Sequence, residues 1–230
     1  VIIPVIGFLL SLCIPKQREN AISRLAFVTV GLQLIAAVAF VIYWLFNHHH
    51  VLDLKEFSLY KTSEYNFFIE FYFDKITLTY LLIGALLTFM ITTYSRYYLH
   101  REEGYKRFFN IILFFFAGYN ITIFAGNMET LFIGWEILGI SSFLLIAFYR
   151  DRYLPVKNAV KVFSIYRIGD VGLILAMWLS HHLWHESISF DKLNNYNMVH
   201  EQLSHHTLIG ALISLMIFVS AAAKSAQLPF

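Results

Sequence analysis

The sequence predicts an all-α, polytopic transmembrane helix bundle of about seven spans. Two observations carry that prediction. Of the 230 residues, 58% are hydrophobic and only 14% are charged, with mean hydropathy +0.62. Soluble domains carry about 25% charged residues, so this chain has too little polar surface to cover a globule. Apolar runs also recur along the whole chain, and the loops between them alternate in charge.

A span needs roughly 17–25 mostly apolar residues. The candidate segments are 1–14, 25–46, 76–94, 108–125, 129–149, 157–180 and 207–228. The opening "VIIPVIGFLLSLCIP" has no basic flank and no small-residue cleavage site, so it reads as a first span entered mid-sequence rather than a removable signal. The expectation is one membrane domain over 1–230, forming the N-terminal fragment of a longer chain. Between the fourth and fifth spans, Gly126 breaks the helix and Asn127 can cap the next. Pro229 should break the seventh. The 47–75 loop alternates Phe and Tyr with polar residues, which suits a short hairpin or an interfacial aromatic belt.

The loops give an orientation. Lys16, Arg18 and Arg24 lie in one loop, Arg96, Arg101, Lys106 and Arg107 in a second, and Arg150, Arg152 and Lys157 in a third. These are alternate loops and share one side. The positive-inside rule makes that side cytoplasmic and puts the N-terminus outside. The expected residence is the bacterial inner (cell) membrane, with the lipid bilayer itself as a partner.

Composition also excludes classes. A net charge of +2 gives no basis for nucleic-acid binding. The single cysteine, Cys13, rules out an intramolecular disulfide framework and a Cys-rich cluster. No G-x-G-x-x-G fingerprint, Walker loop or iron–sulfur run occurs. No cofactor is therefore expected in this chain, and no redox chemistry of its own. Its energy must come from a partner or an ion gradient.

The candidate functional residues are the charges inside the spans: Glu136, Lys161, Arg167, Asp170 and Lys224. Each costs about 2.5–3.5 kcal/mol near a helix centre on insertion scales, so function is the default reading. Glu136 stands in "FIGWEILGISSFLLIAFY", between Gly134 and Gly139 and before Ser141 and Ser142, small residues that admit a neighbouring backbone. Its plainer reading is a structural ion pair. Glu129 shares its face, and suits the helix start. On the sixth span, Lys157, Lys161, Ser164, Arg167 and Asp170 step by three or four residues and climb about 20 Å. That spacing could serve a proton route. The alternative is an Arg167–Asp170 pair, with Lys157 and Lys161 snorkelling to the surface. Lys224, in "SAAAKSAQLPF", is crowded by alanine and serine, and lysine changes its protonation more readily than arginine when buried. By residue count, Glu136 would lie about 10 Å and Lys224 about 26 Å from the outer surface, so counting alone does not join them.

The histidines gather on the expected outer side: His48, His49, His50, His181, His182, His185, His200, His205 and His206. His181 and His185 have the spacing of a helical metal pair, but no completing acid is fixed and no metal site is assigned.

The motifs "LFIGWEILGISSFLLIAFY", "AVKVFSIYRIGD" and "KSAQLPF" occur in that order, and "YSRYYLHREEGYKRFFNIILFFFAGYNITIFAGN" precedes them. Together they resemble the antiporter-like membrane subunits of respiratory complex I, most closely its L subunit or mitochondrial subunit 5. The A subunit of Mrp antiporters and the membrane partner of the DAB inorganic-carbon complex are related. The resemblance implies about fourteen helices in two inverted repeats, of which the first is largely present here, with a broken seventh helix. It implies that Glu136 and Lys224 form the central pair of a proton channel, that Lys161 matches a recurrent basic residue, and that Arg167 and Asp170 support the channel. It implies other membrane subunits as partners, with NADH and quinone reached only through them. Tyr166 and Phe230 depart from the usual complex I residues and keep the Mrp-like and carbon-uptake branches open. The reading from another class is a structural membrane scaffold with static ion pairs.

Overall fold

The computed structural model describes residues 1–46, 51–61, 66–184 and 189–227. Its helices are α1 (Ile2–Cys13), α2 (Glu19–Phe46), α3 (Lys75–Tyr98), α4 (Tyr105–Ile123), α5 (Met128–Ile146), α6 (Tyr153–Trp184), α7 (Phe190–Leu193), α8 (Tyr196–His205) and α9 (Thr207–Lys224). The helical bundle expected from the sequence is present. Between α2 and α3 it carries an antiparallel hairpin, β1 (Leu52–Lys61) and β2 (Asn66–Phe73), pairing Leu52 with Phe73 and Lys61 with Asn66. Among the described residues, α2, α3, α5, α6 and α9 are long and apolar enough to cross a membrane. The first candidate span is a helix of only 12 residues.

Local chemistry sets the ends of the helices. The Asp74 carboxylate accepts from the Thr77 amide at 2.8 Å and caps α3. The Asn127 side chain accepts from the Thr130 amide at 2.8 Å and caps α5. Each satisfies a donor that the first helical turn leaves free. Gly104 begins α4 at φ 98°, a conformation that a side chain resists. The end of α9 falls at Lys224, earlier than the expected break at Pro229. Ala226 adopts φ 53° and the Gln227 amide bonds the Ala222 carbonyl at 3.0 Å, a Schellman closure built without glycine. Pro229 and Phe230 lie outside the described residues, as do His48, His49, His50 and His185.

α4 runs through the middle of the first four helices. Phe109, Leu113 and Phe116 are fully buried against Ile22, Ala26 and Val30 of α2. A helix so enclosed faces little lipid, which explains how α4 carries Asn110, Asn120 and Thr122. Buried Asn120 accepts from the Gln33 amide of α2 at 3.0 Å, a polar link inside the bundle. α5 then packs on α4 through small residues. A Cβ on Gly134 would meet the Thr122 amide nitrogen at 2.6 Å and the Gly118 carbonyl at 2.9 Å, so only glycine permits this approach.

The loop before α5 is tied to the hairpin. The Tyr72 amide donates to Phe124 and the Gly126 amide to Glu70, each at 2.8 Å. The Phe190 amide donates to Gly126 at 2.7 Å and fastens the start of α7 to the same place.

α6 and α9 form an antiparallel pair. Gly169 lies against Ser220 and Ala223, and Gly172 against Met216. α6 has 32 residues, about 48 Å of helix, and exceeds a hydrocarbon core of about 30 Å. Its far end, with Leu183 near Ile213 and Leu203, carries the start of α9 well beyond the start of α5. That offset removes the depth mismatch between Glu136 and Lys224 expected from residue counting.

Candidate functional site

The site lies where α5, α6 and α9 meet. Glu136 is in the third turn of α5, and its side chain is only 19% exposed. An ionised carboxylate at that depth needs partners. Arg167 of α6 supplies them: its Nη2 is 2.7 Å from Glu136 Oε2, and its Nη1 donates to Oε1 at 3.0 Å. This is the two-pronged geometry that a planar guanidinium offers a carboxylate.

Arg167 also turns towards Asp170. Its Nε is 3.3 Å from Asp170 Oδ2, one turn along the same helix. Asp170 is buried, and its other oxygen accepts from the indole Nε1–H of Trp135 at 2.9 Å. The Arg167–Asp170 pair expected from spacing is present, and Arg167 shares itself with Glu136. The guanidinium carbon stands 4.5 Å over the Phe163 ring, an additional favourable contact for the cation.

Lys224 arrives from the last turn of α9. Its Nζ donates to the Trp135 carbonyl at 2.6 Å and lies 4.0 Å from the centre of the Trp135 ring. The Tyr166 ring is 5.6 Å away on the other side. Among the described residues Lys224 is in no direct ion pair with Glu136, whose carboxylate is held by Arg167. Lys224 contacts the residue immediately before Glu136. Gly139 lies beside this contact, where a Cβ would sit an ordinary 3.7 Å from Nζ.

The site therefore holds two carboxylates and two cations with no net formal charge. Such a balanced group is tolerable in a low-dielectric interior, and its members can exchange partners without creating an isolated charge. Lys161 is not brought to it. Lys161 and Ser164 lie on the exposed face of α6, where the Ser164 hydroxyl donates to the Val160 carbonyl. The polar ladder winds from that exposed face to the buried one, and only its upper members, Arg167 and Asp170, enter the site. Glu129 is buried at the start of α5, away from this cluster. Among the described residues no three His, Cys, Asp or Glu side chains are placed to hold a metal ion.

Sequence reasoning passed over Trp135. An indole beside an intramembrane acid was the available signal, since a buried N–H seeks an acceptor. Tyr166 and Phe163 were also missed as cation neighbours.

Residues 125–230 match the family described as NADH:quinone oxidoreductase/Mrp antiporter, transmembrane region. Residues 60–109 match the N-terminal region of complex I chain 5. The chain belongs to this antiporter-like family of membrane subunits. Glu136, Arg167, Asp170 and Lys224 all fall inside the first matched segment. The chain is 30% identical to NADH-quinone oxidoreductase subunit L of Escherichia coli over 235 residues, covering 100% of this chain and 37% of that protein. It is 29% identical to NADH-ubiquinone oxidoreductase chain 5 of Chondrus crispus over 216 residues, 91% of this chain and 30% of that one. The chain thus spans about a third of the length of such relatives. The fold resembles a chain of the Mrp complex from Dietzia, with TM-score 0.75 and 19% identity, covering 100% of this chain and 24% of that chain. It also resembles a chain of the membrane-bound sulfane sulfur reductase, an archaeal respiratory complex, with TM-score 0.72 and 17% identity, covering 96% of this chain and 32% of that one.

Proposed function

We propose that this antiporter-like segment belongs to a proton-translocating membrane subunit of an NADH-quinone oxidoreductase-type complex, in which Glu136 and Lys224 gate the proton. The observation that supports this reading is the four-charge group between three helices, Asp170 buried and the other three half-buried, with Arg167 on Glu136 and Lys224 on the adjoining Trp135 carbonyl. A lysine can give up its proton where an arginine cannot, so Lys224 is the carrier and Arg167 the fixed charge. The charge on Glu136 sets the stability of the Lys224 cation, and Arg167 sets how much of that charge Lys224 meets. Asp170 gives Arg167 a second place to rest. Lys161, on the exposed face of α6, has the role of feeding or shielding the route rather than gating it. Partner subunits supply the redox chemistry with NADH and quinone, and the basic loops face the cytoplasm of a bacterial cell.

A second reading follows from the resemblance to a chain of the Mrp complex: a cation/proton antiporter subunit that uses the same gate and draws on an existing gradient. Purification of the full-length parent from native membranes, with identification of its co-purifying subunits, separates the two. Quinone- or nicotinamide-reducing partners support the first reading. Small membrane subunits without redox partners support the second.

A further inference from the structure

Trp135 stands one residue before Glu136 and touches the two charged groups that Glu136 does not. Its indole N–H donates to Asp170 at 2.9 Å, its carbonyl accepts from Lys224 at 2.6 Å, and its ring lies 4.0 Å beneath the same ammonium. A helical carbonyl is normally used by the amide four residues on, here Gly139. Nζ reaches that oxygen from the side, next to Gly139. The ammonium therefore rests on a dipole and a ring face, both neutral, while Arg167 holds Glu136 and Asp170. A contact with a neutral acceptor is weaker than one with a carboxylate, so a lysine held this way is free to move.

We propose that Trp135 is a positioning residue that parks Lys224 one residue short of Glu136 and ties the parked state to Asp170 through its indole N–H. Lys224 moves onto a carboxylate when Arg167 releases one. Trp135 itself carries no proton; it acts through Lys224 and Asp170. The charged or titratable groups facing Lys224 are Glu136 on α5 and Tyr166, Arg167 and Asp170 on α6. The inference rests on the reading that Glu136 and Lys224 gate proton movement.

The test uses the full-length parent with its partner subunits in proteoliposomes, comparing Glu136→Gln, Trp135→Phe, Asp170→Asn and the double variant Trp135→Phe/Asp170→Asn. Trp135→Phe keeps the carbonyl and a ring face and loses the N–H. It is expected to slow proton translocation about tenfold, the scale of one lost hydrogen bond to a charged group. If the N–H works through Asp170, the double variant is no slower than the slower single. Independent effects would multiply to about a hundredfold and overturn the proposal. A wild-type rate in Trp135→Phe, with Glu136→Gln slow, also overturns it and leaves the gating reading standing. A wild-type rate in Glu136→Gln removes the gating reading and this inference together. Should Trp135→Phe fail to assemble, ultraviolet resonance Raman of the indoles decides. The bands shift in Lys224→Met if the ammonium lies beneath the Trp135 ring, and an unchanged spectrum overturns the proposal.

Discussion

Arg167 grips Glu136 with both terminal nitrogens, at 2.7 and 3.0 Å, and keeps its third nitrogen 3.3 Å from Asp170. One guanidinium thus serves two acids on two helices, Asp170 buried and Glu136 half-buried. The acid of α5 is already neutralised when the lysine of α9 arrives beside it. The physics of the site turns on which cation each acid holds.

Arg167→Lys tests that geometry. A lysine keeps the charge and loses the fork, so it can satisfy one acid at a time. Translocation by the parent complex is expected to fall about tenfold or more, with assembly preserved, since charge-assisted two-pronged bonds are among the stronger contacts available. Dye-quench rates in proteoliposomes measure this, and a wild-type rate would show that the shared grip is dispensable.

Gly134 and Gly139 make a controlled comparison on one helix. A Cβ at Gly134 would press on the backbone of α4 at 2.6 and 2.9 Å, which cannot retreat. Gly134→Ala is expected to destabilise by about 1–3 kcal/mol, the cost of overpacking. A Cβ at Gly139 meets Lys224 at an ordinary 3.7 Å, so Gly139→Ala is expected to leave thermal stability unchanged. Melting temperatures of the two purified variants check the contrast.

The Gln33–Asn120 bond offers a third test. Apolar surface gains nothing from burial in lipid that it lacks outside, so polar links and close packing hold these helices together. Asn120→Leu strands the Gln33 amide and is expected to cost about 0.6–1.7 kcal/mol. The double change Gln33→Leu/Asn120→Leu is expected to recover most of that, because both partners become apolar. Melting of the two variants decides; equal losses would mean that Asn120 matters for packing alone.

Orientation can be read by labelling. The loop holding Arg101 and the segment holding Asn195 are joined through α4, α5 and α6. In a Cys13→Ser background, Arg101→Cys is expected to react only from the cytoplasmic face and Asn195→Cys only from outside. Reaction of both from one face would overturn the topology.

Much of this was legible in the sequence. Hydropathy located the helices because lipid demands long apolar runs, and the cap at Asn127 follows from its chemistry. It located even α4, expected at 108–125 and found at Tyr105–Ile123, although a helix enclosed by others need not be apolar throughout. The intramembrane charges were legible as a set, because their insertion cost marks them. Their pairing was not. Whether Glu136 meets Arg167 or Lys224 depends on the offset of α9, which the long α6 imposes through Gly169 and Gly172. The ladder on α6 left Lys161 open between a route and the surface, because spacing of three or four residues fixes neighbours and not which way the row faces. Trp135 was legible only through its indole, since its hydrogen bond with Lys224 uses a backbone carbonyl, which every residue has.

The most direct measurement is the rate of proton translocation by the full-length parent complex carrying Glu136→Gln, made alongside its melting temperature. The substitution keeps the shape and removes the charge that Lys224 and Arg167 compete for. The account predicts translocation reduced at least about tenfold in a complex that still assembles and melts near the wild-type temperature. Translocation at the wild-type rate would contradict it, and would leave Glu136, Arg167, Asp170 and Lys224 as a static ion-pair group holding three helices together.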